Sequence, residues 1–527
     1  MQIGNVSSIA IWNASAGRLP LVTAIALCLP MVQAVVYANT NSRCTGYVLS
    51  RRLDARKYCA IVVSPRTYFV FTPLLNDTAT GTLEFRNTLE PVRNKKFKGE
   101  YLQGWADDVS FARKTVTVEP SVLDPDVGHA LTGERHGNRT LASSTGAQKV
   151  PTFEISYDKL VICVGCYSQT FGTKGVRENA LFLKDIGDAR KIRRRVLEIF
   201  DLAILPTTTE KVKKNLLHFA VVGGGPTGME FAANLSDLIR QDLSKLYPSL
   251  MEYVQISLYD VAPKVLPMFD AALADYAVRT YKREGIKIKT SHHVEELRKG
   301  FPNDAETAQN QDKQLKGGCY TLRTREEGDV GIGMCIWSTG LMMNPFIQKA
   351  LNSVHIYPSA SARVIKGESQ DAEKSKWIIH RNPKPGAMIV DDHLRVTLKD
   401  GEKEAIMTDV FALGDNATLA SGPLPATAQT ANQQAHWLAK RLNKGDIEKE
   451  TFGFKNLGMM TYLGGSKAML QGGSKDRKGK SHGLKGWLAY LLWRGAYATM
   501  TLSWRNRMLV PTQWMVVKIF GRDVSRF

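Results

Sequence analysis

The chain is predicted to be an alternating α/β protein that ends in an amphipathic helical segment suited to a membrane surface. Three observations carry this. Short apolar runs alternate with longer helical stretches from about residue 44 onward. One of these runs, Leu216–Val222, opens into the turn Gly223-Gly224-Gly225-Pro226-Thr227-Gly228 with a helix behind it. The stretch from Trp487 to Phe527 holds four of the nine Trp residues, interleaved with Lys, Arg, Leu, Met and Val.

Taken in order, Leu19–Ala38 is mostly apolar and just long enough to span a bilayer or serve as a signal segment. It lacks the Arg-rich amphipathic pattern of an organelle transit peptide. Gly46–Arg56 is helix-like and Cys59–Ser64 (CAIVVS) reads as a buried strand, as does Tyr157–Gly165. Lys184–Leu205 is a long basic helix. The strand Leu216–Val222 is followed by a helix from Thr227 to about Leu246, then a strand at Val254–Asp260. Phe269–Glu284 is helical and stops at Gly285. Met334–Ser338 and Asp409–Leu413 are further strands. The polar stretches 124–149, 303–318 and 366–376 read as solvated loops.

With 527 residues the chain has room for about three domains and their cores. At 43% hydrophobic and 23% charged, disorder of the whole is excluded. The net charge of +20 implies an anionic partner. No nucleic-acid motif is present, so a membrane surface takes precedence. From Lys485 onward there are seven Lys/Arg against one Asp, the balance of a segment whose Trp rings sit at headgroup depth. A helical pair packed on the body or on a second subunit is the alternative, and the two can coexist. Seven scattered cysteines do not form a secreted disulfide framework. Cys163 and Cys166 are read as a strand-end turn and not as a redox or zinc pair. No metal site is expected.

The glycine turn carries the chemistry. Gly223 permits the tight turn, Gly225 lets a pyrophosphate approach the backbone, and Gly228 lets helix and strand pack. The helix N-terminus then offers free N–H groups and partial positive charge to phosphates. Asp260, at the end of the next strand, suits the ribose hydroxyls and would repel a 2′-phosphate, which favours NADH over NADPH. Glu230 sits in the first helical turn. It is either a group complementing the helix dipole or one facing the nicotinamide. Gly414-Asp415, closing the strand FAL, is a plain turn or a grip on a second ligand.

Longer matches then resemble a known family. VSPRTYFVFTPLL at 63–75, GTLEFR at 81–86, VVGGGPTGMEFAANL, VLPMFD at 265–270, WSTG at 337–340, ALGD at 412–415, AQTANQQ at 428–434 and LGMMTYLG at 457–464 look like a type II (alternative) NADH:ubiquinone oxidoreductase. The resemblance covers the chain from about Cys44 onward. It implies two Rossmann-like domains, FAD in the first and NADH as substrate in the second, with hydride transfer to flavin and then reduction of ubiquinone without proton pumping. It implies an FAD-binding domain at 44–205, an NADH-binding domain at 206–345, a return to the FAD domain at 346–455 and a membrane-interface segment at 456–527. It places Glu230 near the nicotinamide, Asp415 on FAD, and the Thr72, Pro73 and Leu74 segment along the isoalloxazine. Ser64, Pro65, Arg66, Gly165, Gly340 and Gly414 fall at further cofactor positions. Gln429 and Gln433 fall on the quinone side as catalytic candidates. The family's acid after them is Gln434 here, which removes any role that depends on charge.

The departure is at the FAD fingerprint. The family register puts its three glycines at 41, 43 and 46, where this chain has Asn41, Arg43 and Gly46. Residues 1–43 are unlike the family, the pattern expected of an alternative start or splice. As written, the turn predicts weak FAD binding. The resemblance implies a peripheral protein of the mitochondrial inner membrane, with face and homodimerisation left open. Two other readings stand beside it. One is a flavin-poor paralogue acting as a membrane-associated binding protein. The other is a two-dinucleotide flavin reductase with a non-quinone acceptor.

Overall fold

The computed structural model describes residues 32–38, 43–94, 97–122, 151–302, 318–344, 346–347, 361–367, 377–384, 386–475, 481–501 and 503–526. The first strand, β1 (Val32–Ala38), is rich in β-branched residues. It runs parallel to β2 (Tyr58–Ser64), with Val36 opposite Val62, and α1 (Arg43–Arg52) connects them. This is a βαβ unit. Here the structure differs from the sequence reading, which set everything before residue 44 outside the domain. The end of the apolar run Leu19–Ala38 is a central sheet strand, and its earlier part lies outside the described residues.

A short helix, α2 (Leu75–Ala79), follows a single 3-10 turn at Thr72–Leu74. The sheet then extends through β3 (Glu100–Ser110), β4 (Thr115–Pro120) and β5 (Phe153–Ser156). β6 (Lys159–Cys163) returns to pair with the other edge of β1, Ala38 opposite Cys163. The polar stretches 124–149, 303–318 and 366–376 lie almost wholly outside the described residues.

α3 (Ile186–Ala203) starts at a capping box. The Asp185 carboxylate accepts from the Ile186 N–H at 2.7 Å, and Asp188 accepts from the Asp185 N–H at 3.0 Å. The second sheet is four-stranded and parallel: β7 (His218–Val222), β8 (Gln255–Tyr259), β9 (Ile286–Lys289) and β10 (Met334–Trp337), with β7 between β8 and β10. α4 (Pro226–Leu238) crosses from β7 to β8 and runs on into a π turn at Ile239–Leu243. α5 (Ala271–Arg283) crosses to β9.

The chain then re-enters the first sheet. β11 (Lys403–Ala412) lies parallel to β6, Ala412 opposite Ile162. α6 (Ala428–Lys444), capped by Thr427 and ended by Gly445 at φ 69°, packs against α1. The three-stranded sheet β12 (Met459–Gly464), β13 (Lys467–Lys475) and β14 (Ser481–Gly486) precedes α7 (Trp487–Met500) and α8 (Trp504–Phe520). One core fills the first sheet. A second joins α2, α3, α4 and the second sheet to Ala489, Trp493, Val510 and Trp514 of the last two helices.

His218 opens β7 fully inside this second unit. Its Nδ1 meets the Gly331 carbonyl at 3.0 Å and its Nε2 the Ser257 hydroxyl at 2.9 Å. Burial pushes its pKa down to about 4. The unfolded chain takes up this proton near 6.5 and the folded one does not. Stability is therefore full above 6.5 and is lost as pH falls from there toward 4, by at most about 3 kcal/mol. Thermal melts at pH 7, 6 and 5 should show this decline, and His218→Gln should reduce its slope. Parallel slopes for the two proteins would refute it.

Candidate functional site

The parallel strands of each sheet share a carboxyl-terminal edge, and both edges carry glycine turns. At the second sheet, Gly223 has φ 116° and donates its N–H to the Tyr259 carbonyl at 2.8 Å. A Cβ there would lie 2.4 Å from the Ser338 oxygen, and one at Gly228 would lie 2.2 Å from the Gly223 oxygen. Glycine is thus required for the backbone itself to pass. Gly225, the N-cap of α4, has nothing within 4 Å of an added Cβ. The helix N-terminus therefore opens on free space, the cradle that a pyrophosphate needs. Asp260 closes its side: its carboxylate accepts from the Gly224 N–H and, at 2.7 Å, from Ala262. Gly340 ends the strand region beyond β10. Its carbonyl accepts from the Gln169 N–H at 3.2 Å, which ties this edge to the chain leaving β6.

At the first sheet, β1, β6 and β11 end level with one another. Gly165 (φ 66°) and Gly414 (φ 76°) turn the chain there. Asn416 joins the two turns, accepting from the Gly165 N–H at 3.2 Å and donating to the Ile162 carbonyl at 3.1 Å. Gln434 of α6 accepts from the Gly414 N–H at 2.7 Å. A neutral amide oxygen performs that task, so the missing acid at this position does not open the turn. The Cys166 thiol donates to Asp415 at 3.3 Å, and burial raises the Asp415 carboxyl against the pull of the Lys184 charge. Gly46 is buried in the first turn of α1, and beside it the Thr45 hydroxyl is fully buried with no hydrogen-bond partner among the described residues.

These features fit a flavin dinucleotide. A desolvated carboxylate and an unpartnered hydroxyl at a helix N-terminus face the same sheet edge, and hydroxyl and phosphate groups satisfy both. Ser64 ends β2 and bonds the Arg66 backbone in both directions at 3.3 Å, while Pro65 accepts from Gln103 at 3.2 Å. Arg66 is buried in an ion pair with Asp185, so it joins β2 to α3. Thr72 is exposed and Pro73 half-buried, whereas Leu74 is in the core.

Glu230 is where everything meets. It is buried on α4, and its Oε2 accepts from the Asn76 amide at 3.1 Å. Its Oε1 accepts from the Thr461 hydroxyl at 3.1 Å and the Tyr462 N–H at 3.0 Å. Burial pushes its pKa up to about 7, and the neighbouring Asp77 adds to the rise. Asn76 lies outside every recognised motif, and Thr461 and Tyr462 fall in the LGMMTYLG match at 457–464 but were assigned no role by sequence reasoning. They come from segments 154 to 232 positions away.

Gln429 and Gln433 do not reach this point. Gln433 exchanges two bonds with the Lys455 backbone, 2.8 and 2.9 Å, and Gln429 accepts from the Leu457 N–H at 3.0 Å. Both amides pin the 455–458 connector onto α6.

Two dinucleotide edges, with an acid shared between them, define a two-domain pyridine nucleotide oxidoreductase. Residues 44–354 match the family of pyridine nucleotide-disulphide oxidoreductases, and residues 456–523 match the NDH2 C-terminal domain. A probable NADH dehydrogenase of Dictyostelium discoideum is 34% identical, covering 92% of this chain and 89% of its own. The external alternative NADH-ubiquinone oxidoreductase of Yarrowia lipolytica mitochondria is 30% identical, covering 90% of this chain and 78% of its own. The structure of NDH2 from Plasmodium falciparum in complex with NADH shares the fold, with a TM-score of 0.71 over 94% of this chain and 99% of that one, at 21% identity. The chain belongs to the alternative, type II NADH:ubiquinone oxidoreductase family.

Proposed function

We propose that this protein oxidises NADH and reduces ubiquinone, with FAD as its resident cofactor, at the surface of the mitochondrial inner membrane. The observation that carries this is the position of Glu230, bonded at once to the segment following Thr72–Leu74 and to the NDH2 C-terminal domain from the helix that bears the NADH turn. FAD bound at this edge would supply the hydride acceptor for NADH and the two-electron donor for the quinone. The chain's own residues do the rest. Gly223, Gly225, Gly228 and Asp260 hold NADH, and Thr45, Gly46, Gly165, Gly414 and Asp415 hold FAD. NADH with one proton from the medium yields NAD⁺ and a quinol. Glu230 exchanges its proton near pH 7 and is buried where water is excluded, so it suits the delivery of that proton. Gln429 and Gln433 brace the quinone side by fixing the 455–458 connector.

Among the described residues no helix is long and apolar enough to cross a membrane. α7 and α8 instead expose Trp487, Leu488, Leu491, Trp504, Met515 and Ile519, a face that fits the headgroup region of a bilayer. The test is the purified protein. A bound flavin spectrum and NADH-dependent reduction of a short-chain ubiquinone are expected. Absence of flavin would favour the binding-protein reading, and NADH oxidation that ignores quinone would favour another acceptor.

A further inference from the structure

Asp77 lies on α2, next to Asn76, on the segment that leaves Thr72–Leu74. It is almost fully buried, and its Oδ2 accepts from the Trp514 indole N–H of α8 at 3.0 Å. The Arg494 guanidinium of α7 stacks on the Trp514 ring at 4.4 Å. The charge of that guanidinium favours the Asp77 carboxylate, so the indole and the guanidinium act on Asp77 from the same two helices. The two last helices are therefore more than an apolar face. Their inner side places a donor on, and a positive charge near, a carboxylate one residue from the side chain that bonds Glu230.

We propose that Asp77 is a positioning residue for Glu230 and that the C-terminal helices act through it. Trp514 holds the Asp77 carboxylate beside the Glu230 pocket and Arg494 favours its charged form, through which Asp77 acts on the proton affinity of Glu230. This rests on the reading of Glu230 given above. The other groups around the pocket do not supply the same lever. On α4 itself Asp237 is bonded to the Tyr462 hydroxyl of β12 and the Gly465 N–H. On α5 the Tyr281 hydroxyl is spent on the Met229 and Tyr462 carbonyls. Tyr490 and Tyr497 of α7 are buried phenols that stay neutral. Arg522, from the chain end, pairs with Asp242 at 2.6 Å. Burial favours the neutral form of Asp77, whereas Arg494, the indole N–H and Arg522 favour its carboxylate. In turn Asp77 is among the groups that raise Glu230.

The experiment uses the flavin-loaded protein. Two titrations against pH are recorded: the rate of flavin reduction by NADH, and the infrared band of a protonated carboxyl group. Glu230→Gln should abolish the transition near pH 7 in the rate and take one carboxyl component out of the infrared band, leaving that of Asp188, which burial also pushes up to about 7. Asp77→Asn keeps the size and an acceptor for Trp514 but removes the charge, and should move the midpoint down by about one pH unit. Asp77→Glu should restore it, and Trp514→Phe should move it the same way by less. A transition that is lost in Glu230→Gln but unmoved, or raised, in Asp77→Asn overturns the coupling alone. A rate transition that survives Glu230→Gln overturns the role given to Glu230 and the coupling with it.

Discussion

Gly228→Ala should weaken NADH binding by about 100-fold or more, equivalent to about 2.7 kcal/mol. The new Cβ would sit 2.2 Å from the Gly223 carbonyl oxygen. Both atoms belong to the same tight turn, so no side chain can move aside. Either α4 slides off β7 or the turn opens. The N–H donors at the N-terminus of α4 then move relative to the strand, and a shift of about 1 Å is enough to lose such an aligned contact. α4 also carries Glu230, so flavin reduction should fall along with affinity. Gly225→Ala is the informative partner. An added Cβ there meets nothing within 4 Å, so the protein should melt at the wild-type temperature and lose only ligand approach. Calorimetric titration with NADH and thermal melts on both variants separate the two effects. Wild-type affinity in Gly228→Ala would sink the assignment of this turn to the nucleotide.

The second large effect is expected at the membrane. On α8, Trp504, Met508, Met515 and Ile519 are all exposed, and their spacing puts them on one face. Asn506, Val510 and Trp514 are buried on the opposite face. Changing the four exposed residues to Ser should lower partitioning onto anionic vesicles by about 1,000-fold or more, since each loses at least roughly 1 kcal/mol of apolar burial in the interface. Folding and flavin content should stay unchanged because the inner face is untouched. Sedimentation with vesicles is the measurement, and undiminished binding would rule the face out. Removing the whole segment would be a poorer test. Trp493, Val510 and Trp514 belong to the core shared with α4, so their loss opens a cavity several side chains wide.

The two cradles show what local sequence can carry. The NADH turn was legible because all its requirements lie within a few residues: an apolar strand, glycines where a Cβ would strike backbone, and a helix start. The same holds for the chemical character of the C-terminal segment, whose Trp and Arg content is readable without reference to any partner. The FAD edge was legible only through resemblance, and its first strand was not legible at all. Val32–Ala38 is an apolar run without flanking glycines, which periodicity alone cannot separate from a signal or spanning segment. Its identity as β1 comes from backbone pairing with β2 and β6. Gln434 likewise read as a lost acid, and only its bond to Gly414 identified it as a working acceptor.

By itself, then, the sequence determined the α/β class, the glycine turn between strand and helix, the family and the chemical character of the tail. Tertiary structure decided the place of β1, the clamping geometry of Gln429 and Gln433, and the surroundings of Glu230. The physical reason is range. A turn or a helix face is set by neighbours along the chain, whereas the proton affinity of a buried carboxyl is set by whatever distant segments exclude water from it. For Glu230 those segments are α2, β12 and the last two helices, and no local pattern says that they meet around it.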